Sequence, residues 1–226
     1  MRHPIGGQSV SIPLLLFGLA LLGIFVWVLI GRTLSSHTAQ PVIQPPHVAQ
    51  GVPPLRRPFV TGAAFPFHAS VLSVTDRPTR LTRGTQATVV MALAPGSALC
   101  GYEVRYVLPV IAQVPGIAID LVDVEPTSGI ATAGPQHPAF HGHNAAGHPV
   151  TTADMRTVMQ HYGQTYHLTA SSAIHIYVAT AKTRSQWHVG RFPTMAMLNA
   201  QGQVTAVLPG GVTEATAQQM LQTAKR

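Results

Sequence analysis

The decisive stretch of this sequence reads Thr88-Val89-Val90-Met91-Ala92-Leu93-Ala94-Pro95-Gly96-Ser97-Ala98-Leu99-Cys100. Its first part, Ala87–Ala94, is a short β-branched run bounded by turn residues, which predicts a buried strand. Directly after it, apolar residues recur at i, i+3, i+4 and i+7 and predict a helix from Leu99 to Gln113; they are Val104, Val107, Leu108 and Ile111. Pro109 lies inside that pattern, and we expect it to kink the helix. The chain therefore turns from strand to helix at residues 94–97.

The residues that follow this corner predict an α/β domain. Ile117–Val124 is a second buried strand, and a β-helix-β unit this short implies parallel strands joined by a right-handed crossover. Further on, the sequence predicts a helix capped by Thr151 or Thr152, a strand at Ser172–Ala179, a hairpin of Met195–Leu198 with Val204–Leu208, and a last helix after Thr213. Residues 64–75 predict an edge strand or hairpin, and residues 125–150 a Gly-, Pro- and His-rich insertion loop.

Composition narrows the class of protein. The 226 residues include 14 Lys+Arg and 7 Asp+Glu, a formal net charge of +7, yet only 9% are charged. The basic residues are scattered rather than interleaved with aromatics, so no nucleic-acid partner is expected. The single cysteine excludes an intramolecular disulfide and a cysteine-based zinc site within this chain.

The N-terminal part predicts a membrane anchor. Residues 12–30 carry no charge, and as a helix they would span about 28 Å, close to the hydrocarbon core. We therefore predict a tail at 1–11, a transmembrane anchor at 12–31, a Pro-rich linker at 32–58 and a domain at 59–226. The expected location is a single-pass cell-membrane protein whose C-terminal domain lies outside the cytoplasm. A long signal peptide cut near residues 35–39 is the alternative.

The element order, together with three local motifs, resembles the thioredoxin-like superfamily, and most of all its membrane-anchored TlpA/ResA-type members. At the corner, Ser97-Ala98-Leu99-Cys100 stands where that family has Cys-x-x-Cys, and Glu103 matches its Cys-x-x-Cys-x-x-Glu. His188-Val189-Gly190-Arg191-Phe192-Pro193-Thr194 is similar to its Gly-Val-x-x-x-Pro-Thr, and Met197–Val204 to its closing hairpin. The resemblance implies a thioredoxin-like fold, a central mixed sheet flanked by helices, over about residues 60–226.

The resemblance also implies the candidate site residues. Cys100 matches the resolving cysteine, Ser97 occupies the place of the nucleophile, and Glu103 is placed to hold a proton near Cys100. The alternatives are purely structural roles: an N-cap for Ser97, a small buried apolar residue for Cys100 and a solvated helix residue for Glu103. For each of the three residues this alternative is the interpretation that we favour.

A second part of the site is implied around Pro193. In the family this proline is cis, faces the cysteines and presents backbone groups to an extended peptide. The residues implied for substrate binding are Phe192, Pro193 and Thr194. A simple turn before a strand is the alternative.

Four histidines cluster in the insertion, at His137, His141, His143 and His148. Imidazoles so spaced can ligate zinc or copper, but the loop is rich in glycine, so a polar flexible loop is favoured. No cofactor is expected.

Together these features predict an extracytoplasmic thioredoxin-like protein, and the resemblance implies a role of thiol-redox or cytochrome-assembly type. A full dithiol cycle is excluded within this chain, which leaves at most a monothiol activity. The expected partners are the membrane, through residues 12–30, and thiol-bearing or unfolded client proteins. The rival hypotheses are a non-catalytic binding module that uses the groove beside Pro193 and a metal-handling protein that uses the histidine loop.

Overall fold

A seven-stranded mixed sheet forms the centre of the described part of the chain. The computed structural model describes residues 58–75, 77–132, 144–145 and 147–226. In chain order the strands are β1 (Val71–Ser73), β2 (Pro78–Thr79), β3 (Ala87–Leu93), β4 (Ile117–Asp123), β5 (Ile174–Ala179), β6 (Thr194–Asn199) and β7 (Val204–Pro209). Their spatial order is β2-β1-β5-β4-β3-β6-β7.

The two central strands are the ones with the most apolar sequence. β4 pairs in parallel with β3 and β5, whereas the β1–β2, β1–β5, β3–β6 and β6–β7 pairs are antiparallel. Every residue of β3 and β4 is buried. Central parallel strands are covered on both faces, which is why both read as continuous apolar runs rather than alternating ones.

Four helices flank the sheet in the described residues. The first, α1, has an α-helical segment Ala98–Tyr102, a π-helical segment Glu103–Val107 and a second α-helical segment Leu108–Ile111. The others are α2 (Thr152–Thr165), α3 (Ala181–Trp187) and α4 (Glu214–Ala224), with a 3₁₀ turn at Leu168–Ala170. Pro109 has no N–H to give to the preceding turn, and α1 widens into its π segment just before it.

The sheet separates two cores because successive strand residues point to opposite faces. Met91 and Ile119 belong to the core that packs under α1, α2 and α4. Val90 and Val122 belong to the other, with Phe59, Phe65 and Trp187. Phe59 and Phe65 both pack edge-on against Trp187, so α3 and the segment that opens the domain share one core.

Most of the predicted elements are present, with bounds shifted by one or two residues. Both buried strands, the parallel β3–β4 pairing, the β6–β7 hairpin and the caps at Thr151 and Thr213 are confirmed. Within the predicted edge element at 64–75, the strand is limited to β1, and its hairpin partner β2 lies beyond the predicted range. Helix α3 and the 3₁₀ turn were not predicted. In the described residues of the insertion, strand pairing is limited to one isolated bridge, Thr127 with Pro149.

The predicted tail, anchor and all but the last residue of the linker lie outside the described residues. Within the residues that are described, no helix is both long and apolar enough to cross a bilayer.

Candidate functional site

The corner between β3 and α1 is capped by a distant residue. Ser97 lies at the N-cap position with extended backbone, but its side chain makes no capping hydrogen bond. Asn144 fills that role instead: its Oδ1 accepts from the Ala98 N–H at 3.0 Å, across 46 residues. Capping by the Ser97 side chain is therefore wrong, because the insertion loop supplies the acceptor.

The insertion loop packs directly on the corner. The Ala145 N–H donates to the Gly96 carbonyl at 3.1 Å, and the Ala131 N–H donates to the Pro95 carbonyl at 2.8 Å. A Cβ on Gly96 would lie 2.4 Å from the Ala145 oxygen. The corner accepts the loop only because residue 96 has no side chain.

Cys100 lies in the first turn of α1 and is fully buried. Burial raises the pKa of its thiol to about 12, although hydrogen bonds with the Ala94 backbone and the Ser97 side chain oppose the shift. Thiol exchange requires the thiolate. At neutral pH the thiol is protonated and shielded, so it is not poised to react in this conformation.

Glu103 is buried rather than solvated, so the exposed-helix interpretation of this residue is wrong. It opens the π segment of α1, and its Oε1 accepts from the Val212 N–H between β7 and α4. Its Oε2 has no hydrogen-bond partner. Burial raises the pKa of this carboxyl to about 7, and the Val212 hydrogen bond only partly offsets it.

Two further buried polar groups interact with Cys100, and the sequence analysis missed them. Asp123 ends β4; burial raises its pKa well above the usual range, and its Oδ1 accepts from the Glu125 N–H at 3.0 Å. Burial is the largest cause of the raised pKa of Tyr162 on α2, and the interactions with Cys100 and Tyr166 raise it further. A carboxylate inside an apolar strand was the available signal for Asp123, whereas nothing in the local sequence marked Tyr162.

The segment before β6 reaches the same region. The Phe192–Pro193 peptide bond is cis, as the resemblance implied. Thr194 opens β6 opposite Ala92 of β3, and its Oγ1 donates to the Arg191 carbonyl at 2.7 Å. This pairing brings residues 192–194 to the end of β3 where α1 begins.

A cavity of 490 Å³ is lined by residues of the strand-to-helix corner, of the insertion loop and of the segment before β6. It is here called the corner cavity. Its walls are Ala94, Gly96, Ser97, Glu125, Thr127, Asn144, Ala145, Gly147 and Phe192. Ser97 and Phe192 thus share one cavity. Cys100 and Glu103 are buried and, like Pro193 and Thr194, do not form its wall.

The histidine cluster is only partly described. His148 is exposed, whereas His137, His141 and His143 lie outside the described residues. Among the residues that are described, no group of three or more His, Cys, Asp or Glu is placed to hold a metal ion.

Comparison with known proteins shows likeness in structure but not in sequence. No protein-family model and no curated protein matches the chain. A candidate electron-transfer protein from Aquifex aeolicus VF5 superposes with a TM-score of 0.51 at 9% identity, over 74% of this chain and 95% of that one.

Two other solved structures superpose more loosely. A thioredoxin-like protein from Aeropyrum pernix gives a TM-score of 0.47 at 11% identity, over 68% of this chain and 87% of its own. A secreted Mycobacterium tuberculosis disulfide oxidoreductase gives 0.47 at 12% identity, over 68% and 94%. The described part of the chain has a mixed α/β, thioredoxin-like fold.

Proposed function

We propose that this chain is a thioredoxin-fold protein that holds thiol-bearing or unfolded client proteins at the corner cavity, in processes of thiol-redox or cytochrome-assembly type. The observation that supports the proposal is that the corner has an open cavity, whereas the thiol of Cys100 is buried. The cavity is formed by the corner, the insertion and Phe192, while Cys100 is fully buried and is not part of the cavity wall.

The composition of the cavity suits a peptide. The half-buried ring of Phe192 offers an apolar contact, and Ser97, Glu125, Thr127 and Asn144 offer polar ones. A cavity of 490 Å³ lies within the ordinary range for binding sites, which combine apolar walls with a few placed polar groups. Binding of this kind does not need a reactive sulfur.

A single thiol step at Cys100 is the second candidate, and its hydrogen bond with Ser97 favours it. In that step the Cys100 thiolate would attack a client disulfide, form a mixed disulfide and release the client's other sulfur as a thiolate. An external thiol would have to resolve the product, because this chain has one cysteine. The step also requires a conformation in which the corner opens.

We place the domain outside the cytoplasm, held by the predicted span 12–30 and the linker 32–58. This part of the proposal rests on the uncharged span and the Pro-rich linker alone. Protease added to intact cells should release a soluble domain cut within residues 33–58. Release only after lysis would contradict the orientation.

The test of client binding compares variants of the full chain against one probe, reduced and carboxymethylated α-lactalbumin, which is unfolded and has no free thiol. Phe192→Ala should weaken binding, whereas Val189→Ala should not, because Val189 is a half-buried residue of the same segment that packs against the same core as Phe192 but is not part of the cavity wall. Cys100→Ala should bind as the wild type does. Equal binding by Phe192→Ala and the wild type would overturn the cavity as the client site.

The thiol step is tested separately with a client that carries a disulfide. A mixed disulfide, seen by mass under non-reducing conditions and lost in Cys100→Ala, would support it. Client binding without any such adduct would support the binding role and contradict the thiol step.

A further inference from the structure

A second cavity lies at the other end of β3 from the corner. Asn199 at the end of β6 pairs with Ala87 at the start of β3, whereas Thr194 pairs with Ala92 near the corner. The β6–β7 turn and the segment that leads into β3 are therefore at the far end of the strand, about 20 Å away. The cavity there measures 370 Å³ and is here called the arginine cavity; its walls are Phe65, Phe67, His68, Arg80, Leu81 and Arg83.

The floor of the arginine cavity is apolar and its polar side chains are exposed. Phe65, Phe67 and Leu81 are buried, whereas His68, Arg80 and Arg83 are exposed. Among the residues that the structure describes, no acidic side chain belongs to its wall. An apolar floor with cations around it complements a molecule that has an apolar body and an anionic group.

Arg83 is held in place rather than free in solvent. Its guanidinium lies 4.2 Å from the centre of the Phe67 ring, a cation–π contact that fixes the direction of its donors. The ring itself rests against Gly202 in the β6–β7 turn, where a Cβ would lie 2.9 Å from Phe67 Cε2. The Phe65 N–H donates to the Gly202 carbonyl at 2.9 Å, so this floor is anchored to the hairpin.

The buried acid on this side of the sheet does not neutralise these arginines. Asp120 of β4 interacts with the Thr82 backbone, between Leu81 and Arg83, but burial raises the pKa of its carboxyl to about 8. Burial therefore favours the neutral form of this carboxyl. The whole chain carries 14 Lys+Arg against 7 Asp+Glu, so the local excess of positive charge adds to a general one.

We propose that the arginine cavity binds a phosphate group attached to an apolar body, with Arg83 and Arg80 as its donors and Phe65, Phe67 and Leu81 as its floor. Guanidinium groups match phosphate oxygens through paired N–H donors. The source of that group is a soluble organic phosphate or the headgroup of an anionic phospholipid, which share this chemistry. The proposal is independent of client binding at the corner cavity.

The test uses the full chain in a neutral maltoside detergent and two probes, phenyl phosphate and micelles doped with phosphatidylglycerol. Binding should be saturable, should weaken with salt, and should fall about tenfold in Arg83→Gln. Arg83→Lys should keep part of the affinity because the charge stays while the planar fork is lost. The matched control is Arg105→Gln, another exposed arginine over a ring, 5.6 Å from the centre of Tyr106, and it should bind as the wild type does.

The probes distinguish the two sources. Arg83-dependent binding of phenyl phosphate identifies a soluble ligand, and Arg83-dependent binding of phosphatidylglycerol but not of phosphatidylcholine micelles identifies a lipid headgroup. Absence of binding to either probe would overturn the proposal, as would equal losses in Arg83→Gln and Arg105→Gln. Each variant is checked for an unchanged melting temperature first, since Arg83 packs on Phe67.

Discussion

At the scale of single residues, the chemistry of the corner is governed by where the sulfur lies. Ser97 holds the position at the start of the helix where the dipole and free N–H groups would stabilise an anion, but its hydroxyl stays protonated. Cys100, a turn further in, has the ionisable atom and no access to water. A nucleophilic thiol needs both a place at the start of the helix and an ionisable sulfur. Here Ser97 has the place and Cys100 has the sulfur.

Cys100 is expected to resist alkylation in the native protein. A rise in the thiol pKa from 9.0 to about 12 lowers the thiolate fraction by about a thousandfold, and burial slows the reaction further. The measurement is maleimide labelling at pH 8, followed by mass, in native and unfolded protein. Ser185→Cys, at an exposed position of α3, provides a fast-reacting thiol in the same molecule as a reference; similar rates for the two cysteines would contradict the burial.

Ser97→Cys should restore a disulfide-forming pair. Residues 97 and 100 are the N-cap and the third residue of α1, and Cα atoms three apart at a helix start lie within the usual range for a disulfide. The expected result is the loss of two hydrogen atoms, seen by mass, when an added disulfide such as oxidised glutathione takes up the two electrons, together with reductase activity of the reduced pair toward a model disulfide. Leu99→Cys, one position along the helix, is the control and should form no such bond with Cys100.

At the scale of elements, the insertion loop and the strand-to-helix corner act as one unit. The loop returns to the corner through Asn144 and Ala145, which satisfy the Ala98 N–H and the Gly96 carbonyl. These backbone groups sit at the end of a strand and the start of a helix, where no regular partner exists. The loop therefore completes the local structure and at the same time forms one wall of the corner cavity.

Gly96→Ala should separate the loop from the corner. The new Cβ would lie 2.4 Å from the Ala145 oxygen, a backbone atom that cannot move alone, and such overpacking destabilises a protein by about 1–3 kcal/mol. Urea unfolding measures the loss, and faster labelling of Cys100 would accompany it. Gly190→Ala is the matched control, because nothing lies within 4 Å of its Cβ; equal effects of the two changes would show that the close approach is not what matters.

At the scale of the whole molecule, buried carboxyl groups shape the charge and the stability. Three of the 7 acidic residues, Glu103, Asp120 and Asp123, are fully buried, and burial raises the pKa of each. The folded surface is therefore more basic than the formal charge of +7.

Stability is expected to fall as the pH rises from the unfolded pKa values of 4.5 and 3.8 to the folded values of about 7 and about 8, and to level off above them. Glu103 and Asp120 have pKa values raised to about 7 and about 8 from 4.5 and 3.8, so the folded state binds protons more tightly than the unfolded one. Their stabilising contribution is complete below the unfolded pKa values and is lost as the pH rises through the folded ones. The free energy of unfolding at pH 5 and pH 8.5 measures it.

Asp120→Asn should flatten this dependence and stabilise the protein at pH 8.5 by about 1–3 kcal/mol, the cost of a buried charge without full compensation. Asp154→Asn is the control: that carboxyl is exposed in the Thr151 capping box, and its hydrogen bonds with Thr151 lower its pKa. Its stabilisation is lost only as the pH falls, so the change should give no gain at pH 8.5. A flat profile in the wild-type protein would contradict the raised pKa values.

The sequence alone determined the elements whose signals are local. The β-branched runs of β3 and β4, the apolar face of α1, and the caps at Thr151 and Thr213 are each set by residues within a turn or two of one another. The motif before β6 located the cis bond at Pro193 through its resemblance to a known family. Helix α3 lacks an apolar face of any length, so no apolar periodicity in the sequence predicted it.

Only the tertiary structure decided what surrounds each candidate residue. Asn144 caps α1 from 46 residues away, and Glu103 accepts from Val212 across 109 residues. Solvent exposure, and with it the pKa of Cys100 and Glu103, depends on which elements pack over a group rather than on its neighbours in the chain. For that reason the sequence indicated where the site lies. Tertiary packing determined the burial of the Cys100 sulfur, the cavity wall that the insertion loop supplies, and the arginine cavity.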